Sequence, residues 1–133
     1  MIGVDTNVIV RLIADDDPMQ SETARKFVAT APTHGLFISL VVMAELAWVL
    51  KRGYKYTPDQ VLAVMRTILE AREFFVEKRQ LAEQALENAR AAGCGYADAL
   101  IDLISASAGC KETATFDLKA KRLPTMKDVV SLI

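Results

Sequence analysis

The chain has 133 residues, 52% of them hydrophobic and 25% charged, which is enough apolar material for a buried core and too much for a disordered chain. Its 16 Lys and Arg against 17 Asp and Glu leave a net charge of -1, which argues against a protein that grips nucleic acid mainly through a basic surface and leaves open one that reaches phosphates through bound metal ions. The longest apolar run, Phe37 to Leu50, is too short for a bilayer and contains Glu45, and two cysteines make no disulfide framework, so a single reduced, cytoplasmic domain over residues 1–133 is expected.

Ile2-Gly3-Val4-Asp5 reads as a first strand; without a basic start, and meeting a carboxylate at once, it is no secretion signal. An apolar helix, Val8 to Ile13, follows. Asp15-Asp16-Asp17 lacks the spacing of a calcium loop and reads as a solvated turn, with Asp17 capping and Pro18 starting a helix to Thr30. The Pro32-Thr33-His34-Gly35 loop leads into a strand at Leu36–Ile38, after which Ser39 caps a helix from Leu40 to about Arg52, ended by Gly53. Thr57-Pro58-Asp59-Gln60 carries a capping box and opens the next helix. Phe74–Val76 is a third strand, Arg79–Ala92 an amphipathic helix stopped at Gly93, and Tyr96–Ala108 a helix stopped at Gly109. Glu112–Phe116 is a fourth strand, and Val129–Ile133 a short edge strand. Strands alternating with helices predict an α/β fold, with a mainly parallel central sheet of about four or five short strands flanked by helices on both faces. In such sheets ligands bind beyond the carboxyl ends of the strands.

The acids fall at those ends. Asp5 closes the first strand, and Asp117 follows the fourth; each alone could simply cap a helix or turn. Between Phe37 and Leu50 the only polar residues are Ser39 and Glu45. A helix apolar all round is buried, with Met43 and Trp48 in its core, and a buried carboxylate there needs a cation: Arg11, Lys51 or a metal. Asp98 and Asp102, at i and i+4 in an otherwise apolar stretch, share a helix face and repel each other. Right-handed crossovers can bring these points to one sheet edge. Oxygen ligands without His or Cys select Mg²⁺ or Mn²⁺ and suit phosphodiester hydrolysis.

The chain resembles the PIN-domain ribonucleases, and among them the VapC toxins of bacterial toxin–antitoxin pairs. The likeness rests on Ile2-Gly3-Val4-Asp5-Thr6-Asn7, on Glu45 in Val41-Val42-Met43-Ala44-Glu45-Leu46, on Tyr96-Ala97-Asp98-Ala99-Leu100-Ile101 and on Ala114-Thr115-Phe116-Asp117, and covers essentially the whole chain. It implies an endoribonuclease dependent on Mg²⁺ or Mn²⁺, with Asp5, Glu45, Asp98 and Asp117 as the acidic quartet. Thr115 matches a hydroxyl position near the metal, and Asn7 a polar residue lining the site beside Thr6. It also implies an RNA substrate, a VapB-type antitoxin and a homodimer. Asp102 stands where a small or apolar residue is expected; one turn below Asp98, it is assigned a supporting hydrogen bond or a pair with a base such as Arg11. Of two basic groups, Lys51-Arg52-Lys55 and Lys119-Lys121-Arg122, the second is expected nearer the metal. The rival function is a non-catalytic RNA- or protein-binding module on the same fold, against which the full acidic set counts.

Overall fold

Side-chain caps set most of the element boundaries in the computed structural model, which describes residues 1–133. After β1 (Ile2–Gly3) the Asp5 carboxylate accepts the Thr6 N–H and starts α1 (Thr6–Ile13). Asp17 accepts the Gln20 N–H and starts α2 (Pro18–Val28), with Pro18 in the first turn, where its missing N–H does no harm. The Pro32–Gly35 segment, expected as a loop, closes a helical turn, α3 (Ala31–His34). Gly35 then takes a left-handed φ of 76° into β2 (Leu36–Ile38), where a Cβ would stand 3.0 Å from the Phe75 ring.

Two acceptors start α4 (Leu40–Gly53): Ser39 Oγ takes the Val42 N–H, and the Glu77 carboxylate takes the Leu40 N–H. The Thr57–Gln60 capping box forms as expected and opens α5 (Pro58–Glu70). Next come β3 (Phe74–Val76), α6 (Arg79–Ala92), α7 (Tyr96–Ser107), β4 (Thr113–Thr115), a 3-10 turn at Ala120–Arg122 and β5 (Met126–Asp128).

All pairings are parallel, but they form two sheets, β1-β2-β3 and β4-β5, where one sheet was expected. Strands of two or three residues offer few backbone groups for pairing, and no ladder joins β4 or β5 to β1, β2 or β3. The last strand also differs: it is Met126–Asp128, while Val129–Leu132 is a 3-10 turn started by the Asp128 carboxylate, which accepts the Val130 N–H.

One hydrophobic core of 28 buried residues joins β2, β3 and β5 to α1 and α4–α7. Tyr96 is buried in it, its hydroxyl donating to the Ala82 carbonyl at 2.9 Å, so that α6 and α7 are tied without an orphaned polar atom. No helix is long and apolar enough to cross a membrane.

The core takes only one side of α4. Leu40, Met43, Leu46, Ala47 and Leu50 are buried, whereas Val41, Glu45, Trp48 and Arg52 form a solvent-facing stripe. Glu45 is therefore exposed rather than buried, and Trp48, read as core, is 60% exposed; Met43 is core as expected. Two apolar side chains on the outer face hide the helical period that would have marked it.

Candidate active site

The end of β4, the first turn of α7 and the last turn of α4 share one electrostatic neighbourhood. Past β4, the Thr115 hydroxyl accepts the Asp117 N–H at 3.0 Å. Asp117 Oδ1 in turn accepts the N–H groups of Ala120 and Lys119, both at 2.8 Å. Those amides, Ala120 foremost, hold the Asp117 carboxyl below the usual carboxylate range, aided by the charges of Lys119 and Lys51. Half-buried Asp98 is pushed the other way, first by burial and then by the charge of Asp117, with Lys51 opposing. Cys94 is buried nearby, and burial, with the charges of Asp98, Asp117 and Asp102, raises its thiol and keeps it protonated.

Asp5 is exposed at the end of β1 and caps α1 through Oδ1 at 2.7 Å. Next to it, the Thr6 hydroxyl is buried without a hydrogen-bond partner. Asn7 is exposed and lines a cleft of about 550 Å³ between α1 and α2. Glu45 makes no ion pair: Arg11 goes to Asp16 at 2.9 Å, with the Tyr54 hydroxyl donating to the same carboxylate, and Lys51 stands by Asp98 and Asp117. No three Asp, Glu, His or Cys side chains come close enough together to hold a metal ion between them. The charge of Asp117 acts on Asp98, and none of the four acids, Asp5 and Glu45 included, belongs to a ready-made cluster of three.

Asp102 is 1% exposed and turned into the protein. Its Oδ1 accepts the Thr125 N–H at 3.1 Å and the Thr125 hydroxyl, while Arg11, the base considered as a partner, pairs with Asp16 instead. Since the Thr125 carbonyl accepts the Thr113 N–H at 2.9 Å, Asp102 is linked through Thr125 to the start of the strand that carries Asp117.

Three contributors escaped the sequence reading. In the sequence Lys51 is a partner for Glu45 or for the helix dipole, whereas in the structure its charge acts on Asp98 and Asp117. Thr125 carried no signal in the sequence. Glu77 closes β3 and caps α4, so the rule that pointed to Asp5 and Asp117, a residue ending a strand before a helix, would have found it.

The donor chemistry fits a hard divalent cation. Available donors are carboxylates and hydroxyls, and the burial and like charge that disfavour ionised Asp98 are penalties a cation would relieve. The fold is an α/β domain with parallel strands, and carboxylates follow the ends of β1, β3 and β4. The chain belongs to the PIN domain family, whose sequence profile matches residues 2–125. Over 122 residues it is 26% identical to a VapC ribonuclease of Aquifex aeolicus (strain VF5), a span that covers 90% of each chain.

Proposed function

We propose that residues 1–133 form one PIN domain acting as a cytoplasmic, divalent-metal-dependent endoribonuclease, the toxin of a toxin–antitoxin pair. The observation that carries this reading is Asp98, half-buried at the start of α7 within reach of the charge of Asp117. Asp98 and Asp117 would hold Mg²⁺ or Mn²⁺, with Asp5 and Glu45 completing the set. When bound, the cation would neutralise charge on the scissile phosphodiester and lower the pKa of the attacking water.

The chain's own groups prepare that site. Asp5 and Asp117 are each fixed by amide donors through Oδ1, which leaves Oδ2 free for a ligand. Thr115 locks the backbone of Asp117, and Lys51 brings a positive charge to the acid pair. A VapB-type antitoxin helix has a matching cleft of about 390 Å³ between α1 and α5, lined by Leu12, Ile13, Val64 and Ile68. As in other VapC-type domains, a homodimer is the expected assembly.

Incubation of the purified protein with single-stranded RNA in Mg²⁺ or Mn²⁺ tests the activity. Asp5→Asn keeps the oxygen that caps α1 and removes the charge, so cleavage should collapse while the circular dichroism spectrum stays unchanged. Full cleavage in excess EDTA, or by folded Asp5→Asn, would overturn the assignment.

A further inference from the structure

Trp48 is the only tryptophan of the chain, and its side chain is 60% exposed on the outer stripe of α4. Exposing a large flat ring on a well-ordered helix forgoes the burial that such side chains normally supply. The surroundings of that ring are charged. Glu45 lies one turn before it and Arg52 one turn after it on the same stripe, while Lys51 and Lys55 stand at the same end of the helix. None of Lys51, Arg52 and Lys55 is in a salt bridge. In the other basic group Lys121 is paired with Asp128 at 3.2 Å and Arg122 is directed to the Ala92 carbonyl, which leaves only Lys119, beside Asp117, without a partner. α4 packs against α7, the helix that carries Asp98, and the charge of Lys51 acts on both Asp98 and Asp117.

We infer that the outer stripe of α4 is a subsite for single-stranded RNA, in which Trp48 stacks on one unpaired base while Lys51, Arg52 and Lys55 engage the flanking phosphates. The inference rests on the nuclease reading and adds the residues that hold the strand beside the acids. An aromatic face next to free cations is the combination that binds single strands, since every base offers a π-face and the phosphates follow the charge. The stacked base must be unpaired, because paired bases in an RNA helix do not present their faces. A second copy of the chain is the poorer occupant. Val41 and Trp48 are the only apolar members of the stripe, with Glu45 between them and three unpaired cations at its end, a composition poor in the apolar centre of a stable interface.

The lone tryptophan makes the test direct. The protein is titrated in EDTA, where no cleavage intervenes, with a single-stranded RNA oligonucleotide while its emission is recorded. Saturable quenching is expected, with affinity falling with salt at a log–log slope of about -2 for three phosphate contacts. Trp48→Ala should weaken binding roughly five- to a hundredfold, and Trp48→Phe should retain most of it. Binding in these variants is followed by anisotropy of labelled RNA. RNA affinity unchanged in Trp48→Ala, or emission that responds to protein concentration and not to RNA, would overturn the inference; the second result would assign the stripe to a second copy. Cleavage in Mg²⁺ without quenching sinks this inference alone, whereas quenching without cleavage in any divalent ion upholds it and sinks the nuclease reading.

Discussion

Asp98 and Asp102 lie one turn apart on α7, but Asp102 turns inward to Thr125 while Asp98 stands by Asp117. Their replacements should therefore part company. Asp98→Ala should abolish cleavage with no loss of stability, since it removes a charge that burial and a neighbour both disfavour. Asp102→Ala leaves Thr125 without its acceptor and should cost about 2–3 kcal/mol in urea unfolding. Asp102→Asn keeps an acceptor oxygen and should retain measurable cleavage; equal loss in Asp98→Ala and Asp102→Asn would make Asp102 a direct ligand. The pH dependence has a definite sign. Folding raises the Asp98 carboxyl, so the folded state holds a proton that the unfolded chain releases, and stability falls as pH rises from the ordinary carboxylate value through the raised one. Asp117 is depressed, so its contribution is present above the ordinary value and is lost as pH falls through the lowered one. In EDTA, then, Asp98→Asn should raise the melting temperature at pH 7 and Asp117→Asn should lower it. Below the ordinary carboxylate range the Asp98→Asn gain should vanish; a gain that persists undiminished in strong acid would refute the assigned cause.

At the scale of elements, the parts written as local chemistry were legible and the parts made by tertiary contact were not. Asp17-Pro18, Ser39 and Thr57–Gln60 each start a helix because a side-chain oxygen sits where orphan N–H groups need it. Thr57→Ala should accordingly destabilise by about 1 kcal/mol, read from the shift in urea midpoint. Strand β5 carries no such mark: Lys127 and Asp128 would not suggest a strand, and it exists because Met126 is buried while the segment pairs with β4. The face of α4 was misread for a related reason. Apolar residues at Val41 and Trp48 make the helix look buried all round, and only packing against α1, α5 and α7 shows which side is outward. The acids at the ends of β1 and β4 were legible from strand endings, whereas the partners of Asp102 and the reach of Lys51 depend on contacts distant in sequence.

For the whole molecule, the division into two sheets determines what a cation has to do. Asp5 follows β1 of the three-stranded sheet and Asp117 follows β4 of the two-stranded one, while Asp98 sits on α7, which packs against α4, α6 and β4. No backbone ladder links the two sheets, so their relation rests on helix packing and on the Asp102–Thr125 hydrogen bonds. A cation held by acids from both parts would bind the folded chain and have no comparable site in the unfolded one, which couples metal binding to stability. At a free Mn²⁺ concentration a hundred times its dissociation constant, the gain is about 2.7 kcal/mol, or roughly 8–10 °C in melting temperature for a chain of this size. The upshift should be reversed by EDTA, be absent in Asp98→Asn and Asp117→Asn, and survive in Trp48→Ala, which removes no carboxylate. If Asp5→Asn also abolishes the upshift, one cation bridges the two sheets; if only the Asp98 and Asp117 variants do, the cation is held by α7 and the β4 end alone, and Asp5 acts on the substrate side. Thermal melts of the unsubstituted protein and the four variants in Mn²⁺ and in EDTA separate these arrangements, and an equal upshift in all of them would show that the acids do not hold the metal.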